Sequence, residues 1–283
     1  MIHLHWHSRY SFLEWIGTIW AIVDRAVACG MPAIWLTDYT GMYGILEFIS
    51  TCKKNNIKPI VWVELPLVQD ISIDSEKYGM IVLIAQNYIW YQNLLALTSI
   101  ANTSAYQSWP RIDLATIRAH GSWVMILWWW HRSALRYASW QDLITHSREC
   151  VEHVIWERSI HHDLADHNQT LIESGIPLCV GTNYHYVLQS DKQTYEVWLC
   201  IKDQLQYTDP NRRKVIWDHH IMSEQEILAL SPSPQIDEMI AMTHTIASKI
   251  DLVMPPKVDL FPIYDVPDHI TDLYETMKGK LII

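Results

Sequence analysis

Residues 33–65 read AIWLTDYTGMYGILEFISTCKKNNIKPIVWVEL. AIWLT (33–37) and PIVWVEL (59–65) are short, almost unbroken apolar runs rich in β-branched and aromatic residues, the pattern of strands buried on both faces. Between them, ILEFISTCKKNN (45–56) gathers its apolar residues on one helical face and runs out in lysines and asparagines. A strand, a helix and a second strand in so short a stretch predict parallel strands covered by helices.

The same alternation extends in both directions. IHLHW (2–6), MIVLIA (80–85), WVMILW (123–128), VEHVIWE (151–157) and PLCVGT (177–182) read as further strands. TIWAIVDRAVAC (18–29) reads as a helix with Thr18 as N-cap and Gly30 just past its end. YQNLLALTSIA (91–101), LADHNQTLIES (164–174, closed by Gly175) and a stretch near 190–202 are the other helices. This many strand–helix units favour a closed or nearly closed β/α barrel over an open sheet, although periodicity alone does not separate the two. In either architecture, polar groups at the C-terminal ends of the strands are where chemistry sits. Residues 203–220 read as loop, 223–230 and 235–250 as two helices, and a Pro-rich extended stretch precedes a last helical run ending at Ile283. The expected organisation is an α/β barrel domain over 1–202, followed by a loop and small helical appendage over 203–283.

Composition narrows the function. The chain has 283 residues, 49% of them hydrophobic and 18% charged, a globular balance with ample core to bury. A net charge of -10 argues against a dominant nucleic-acid surface, which needs clustered Lys and Arg. Lys53-Lys54 and Arg212-Arg213-Lys214 read as solvated surface, and Asp163 to His167 as an exposed helix face. Five cysteines, an odd count without a CxxC pair, disfavour a disulfide framework or a Cys-type zinc finger and fit a reducing cytoplasm. MIHLHWHSRY has no basic stretch leading into an apolar run, so no signal peptide is expected. No segment offers roughly 18 unbroken apolar residues, so no membrane span is expected either. Phosphate-binding glycine loops and a serine nucleophile elbow are absent from the sequence.

The strongest chemical signal is HLHWHS (3–8). In a strand, His3, His5 and His7 share one face, and two imidazoles spaced i, i+2 can reach one metal ion. The competing reading is that these are ordinary members of a chain with 15 histidines. Asp38 after AIWLT, Glu64 closing PIVWVEL and His185 after PLCVGTNY lie at other strand ends. Histidines and carboxylates gathered at one barrel mouth suit a multi-metal hydrolytic site that generates hydroxide and clamps a phosphate.

HLHWHSRYSFLEW, GMPAIWLTDYTGMYGILEF and NNIKPIVWVEL, followed in order by YQNLLALTSIA, PRIDLATIRAH, GTNYHY, TDPNRR and IASKIDLVMPP, resemble the PHP (polymerase and histidinol phosphatase) domain that opens the bacterial DNA polymerase III alpha subunit. The resemblance spans nearly the whole chain. It implies a distorted seven-stranded β/α barrel of TIM-like kind. Active members hold up to three metals, typically zinc or manganese, and cleave phosphoesters, some as a proofreading 3′–5′ exonuclease. In other members the site has decayed, and the domain supports the polymerase and contacts partner subunits.

Carried over residue by residue, His5 and His7 match the first metal motif. Glu14 stands where an Asp ligand is common, Glu64 matches the carboxylate after the third strand, and His185 matches the last histidine. Tyr39 stands where active members have His, and Tyr184 takes the place of an expected Asp. His131 and His161 lie near the unplaced middle ligands. The implied site is therefore degraded, with weak or absent phosphoesterase activity, because geometry and charge balance both suffer. The resemblance also implies partners: the rest of the alpha chain, a proofreading subunit, a sliding clamp and primer-template DNA. The rival reading is a free-standing PHP phosphoesterase or 3′–5′ exonuclease, which TDPNRR and the helical tail disfavour. A binding module in another context is a third.

One compositional anomaly remains. Glycine is 9 and tryptophan 15 of 283 residues, whereas glycine is usually about 7% of a chain. Trp15, Trp62, Trp90, Trp123, Trp129 and Trp130 fall where the resembled family has Gly. The expectation is that UGA encodes glycine in the source and has been translated as tryptophan; the competing reading is a chain that is truly Trp-rich.

Overall fold

The computed structural model describes residues 1–73, 79–103, 109–120, 124–129, 145, 147–148, 154–160, 175–181, 184–256 and 277–278. The helix expected over 164–174, together with His131, His161 and Asp163 to His167, lies outside the described residues.

Among the described residues, six strands form one curled sheet in sequence order, a half-barrel. They are β1 (Ala33–Tyr39), β2 (Lys58–Leu67), β3 (Gly79–Ala85), β4 (Val124–Trp129), β5 (Val154–Ser159) and β6 (Leu178–Gly181). β1 pairs parallel to β2, β4 to β5 and β5 to β6. The wholly parallel sheet expected from the alternation is corrected at β3, which runs antiparallel to both β2 and β4. The physical reason lies in the link: residues 68–78 are too few for the helical crossover that a parallel return requires. The β2 and β3 registers meet directly, with Leu67 opposite Gly79. The strand expected over 2–6 is also corrected. This stretch is buried but forms no strand. Its backbone groups go elsewhere: Trp6 O accepts from Thr37 N at 2.7 Å, while Ile2 N donates to the Thr243 hydroxyl at 3.2 Å.

The strands are apolar on both sides because both sides are covered, and every residue of β3 is buried. Helices α1 (Ile19–Ala28), α2 (Ile45–Lys54), α3 (Tyr88–Thr103) and α4 (Leu114–His120) follow the strands or precede them. α1 starts where Thr18 predicted, its hydroxyl accepting from Ala21 N at 3.2 Å; past its end Gly30 has φ +69°, a conformation that glycine adopts freely. α5 (Lys192–Asp203), α6 (Glu224–Leu230) and α7 (Pro234–Lys249) complete the described helices. α7 begins with Ser233 as cap and Pro234 at its first position, and it packs against β6. One compact unit therefore runs from Met1 to Val253 and includes these last helices; a second covers Met254–Ile283. No helix among the described residues is long and apolar enough to cross a membrane.

Candidate metal centre

The antiparallel β3 leaves β1, β2, β4, β5 and β6 pointing the same way, so their C-terminal ends share one rim. Tyr39 ends β1 opposite Glu64 on β2. Glu157 stands near the end of β5. The irregular stretch 1–8 delivers His5 and His7 to this rim.

His5, His7 and Glu64 come together, all fully buried. His5 Nε2 is 3.1 Å from His7 Nε2 and 3.3 Å from Glu64 Oε2, and His7 Nε2 is 3.8 Å from the same oxygen. Zinc bonds of about 2.0–2.1 Å in a tetrahedron separate neighbouring ligand atoms by about 3.3 Å. The triangle is thus close to one face of such a tetrahedron, and two imidazoles with one carboxylate form a known three-ligand zinc set that leaves a fourth position open. The donor set fits a single ion held by His5, His7 and Glu64.

Charge in the ion-free site follows from this crowding. Burial opposes a protonated His5, but Glu157, by charge and hydrogen bond, and then Glu64 outweigh it and raise its pKa to about 10. His5 would therefore have to release a proton to offer Nε2 to a cation.

The other sequence candidates take different places. His3 lies outside this triad: its Nε2–H donates to Met222 O at 2.5 Å, and its Nδ1 accepts from the Tyr184 hydroxyl at 2.8 Å. Burial lowers its pKa to about 3, so it stays neutral there. Tyr184 thus serves as the fixed partner of His3. Tyr39 lies flat on His7, ring centroids 4.0 Å apart at 13°. Asp38 accepts from Ser8 N at 2.7 Å, from the Ser8 hydroxyl at 2.8 Å and from the Ser11 hydroxyl at 2.7 Å, so it fixes the turn that follows His7. Burial raises the Asp38 pKa against these hydrogen bonds. Glu14 is ion-paired with Lys202. His185 donates from Nδ1 to Glu14 O at 3.0 Å and stacks on Tyr195 at 4.8 Å. His185 therefore sits beside the Glu14 backbone, and neither residue belongs to the group formed by His5, His7 and Glu64.

The residue that sequence reasoning missed is Glu157. Its Oε2 is 3.2 Å from His5 Nδ1, on the side of the ring away from His7 and Glu64. The available signal was positional: Glu157 closes VEHVIWE as Glu64 closes PIVWVEL.

Comparison with known proteins gives the family of the chain. The profile of the PHP domain matches residues 3–160. The DNA polymerase III subunit alpha of Treponema pallidum is 29% identical over 94% of this chain and 24% of its own length. That of Borreliella burgdorferi is 27% identical over 98% of this chain and 26% of its own. The chain spans about a quarter of the length of these curated relatives. Among solved structures, an amidohydrolase from Chromobacterium violaceum aligns over 65% of this chain and 87% of its own with 16% identity and a TM-score of 0.45, too distant to bear on the site.

Proposed function

The chain belongs to the PHP domain family, and on that ground we propose that it is the N-terminal PHP portion of a replicative DNA polymerase III alpha subunit. Its role is to support the polymerase and contact partner subunits around a reduced metal site. The observation that carries this reading is the collinear match of nearly the whole chain to alpha subunits of other bacteria. The free-standing phosphoesterase accounts less well for a match that continues into the last helices. The partners that follow are the remainder of the alpha chain, the proofreading subunit, the sliding clamp and primer-template DNA.

At the site, His5, His7 and Glu64 would hold one ion, zinc or manganese. When bound, such an ion polarises a phosphoryl oxygen or lowers the pKa of a bound water. Multi-metal hydrolysis needs further ligands, and Tyr39 and Tyr184 stand where two of them belong. Phosphoesterase activity is accordingly weak or absent. Reading the gene beyond codon 283 tests the assignment: an open frame continuing into a palm with paired Asp residues supports it. A stop codon there, with metal-dependent cleavage of a phosphodiester by the purified chain, would replace it with the free-standing enzyme.

A further inference from the structure

His5 is gripped from two sides. Its Nε2 faces His7 Nε2 at 3.1 Å and Glu64 Oε2 at 3.3 Å, while its Nδ1 faces Glu157 Oε2 at 3.2 Å. A neutral imidazole that offers one nitrogen to a metal carries its proton on the other, and a buried carboxylate on that proton fixes both tautomer and ring orientation. Glu157 is itself 5% exposed. It pairs with Trp129 on β4 and Cys179 on β6, so its strand is held in the ladder on both sides.

A second feature seats the same carboxylate. A Cβ added at Gly181, the last residue of β6, would run into the Glu157 side chain, both its Cγ and its carboxylate. The strand therefore leaves there the space that Glu157 occupies. Charge points the same way: a divalent cation on Glu64 and two neutral imidazoles keeps one positive charge in a buried place, and Glu157 cancels it.

We propose that Glu157 is the positioning residue of the ion site: it accepts the Nδ1–H of His5 and so holds Nε2 turned towards the ion, with Gly181 providing its seat. This rests on the reading of His5, His7 and Glu64 as ligands, and Glu157 does not itself touch the ion.

The test is zinc titration of the full chain against a chromophoric chelator, with thermal melts of each zinc-free variant to confirm folding. Glu157→Ala is expected to raise the zinc dissociation constant roughly 10- to 100-fold. Glu157→Gln, which keeps an acceptor oxygen, is expected to fall between wild type and Glu157→Ala. Gly181→Ala, which displaces the carboxylate without removing it, is expected to weaken zinc as well. In the zinc-loaded wild type, the histidine ring ¹⁵N spectrum should show His5 protonated at Nδ1, a signature that a merely structural carboxylate would not move. Zinc binding by Glu157→Ala equal to wild type overturns the inference alone; if that variant does not fold, wild-type affinity in both Glu157→Gln and Gly181→Ala does so. Glu157→Gln as weak as Glu157→Ala overturns positioning in favour of direct ligation. A wild-type chain that retains no zinc overturns the ligand reading, and this inference with it.

Discussion

At the scale of the residue, the site is decided by which polar atoms are left facing one another. His3, His5 and His7 share a spacing but not a fate: His3 is neutralised between Met222 O and Tyr184, whereas His5 and His7 meet Glu64. Two candidates drawn from the same resemblance, Glu64 and Glu14, can therefore be separated. Glu64→Gln should weaken zinc retention by at least about 10-fold, since it removes the anionic member of the set. Glu14→Gln, whose carboxylate pairs with Lys202, should leave retention unchanged. Equilibrium dialysis of both variants checks this. HLHWHS and the carboxylate closing PIVWVEL make most of the triad legible in the sequence alone. Glu157 carries there only the signal of closing a strand, which is too weak to single it out because a lone Glu at such a place is ordinarily a solvated group; the approach of β5 to residues 1–8 gives it a histidine to hold.

At the scale of the element, apolar runs announce where strands lie but not which way they run. MIVLIA is apolar throughout and reads the same in either direction; the short link from β2 reverses it. IHLHW alternates like a strand, yet its backbone is divided between β1 and α7, so no ladder forms. Helix ends are more legible, because caps are local chemistry: Thr18 and Gly30 bound α1 as their residue types predict. At α6, Ser223 and Glu226 form a reciprocal capping box. Partial burial works against the Glu226 carboxylate, but the Ser223 amide and hydroxyl, with His220, outweigh it and bring its pKa down to about 2. This lies below its unfolded value of about 4.3, so the box stabilises α6 above that pH and loses its contribution as pH falls towards 2. Hydrogen exchange of α6 should accelerate selectively over that acid range, and Glu226→Gln should remove this pH dependence.

At the scale of the whole molecule, the fold class follows from the strand–helix alternation, whereas the curl of the sheet and the packing of the last helices depend on long-range contacts. The tryptophan excess belongs to this scale. The buried indole N–H groups of Trp6, Trp15, Trp35, Trp62, Trp128 and Trp156 have no hydrogen-bond partner among the described residues, although a buried indole N–H usually finds one. Each unpaired N–H costs about 1–3 kcal/mol. Trp15 and Trp62 are among the positions where glycine is expected, but Trp6, Trp35, Trp128 and Trp156 are not, so the reading of UGA as glycine rests on composition and on the resembled family's glycine positions. Peptide mass spectrometry of the native protein should then report Gly at 15, 62 and 90; Trp at 62 and 90 would refute it.

This PHP domain is proposed to hold one ion, at His5, His7 and Glu64. Elemental analysis of the zinc-loaded chain after gel filtration tests it most directly. About one zinc per chain is expected, the number that a single three-ligand set holds. Two or three retained ions would contradict the reduced site, and none would contradict the site itself.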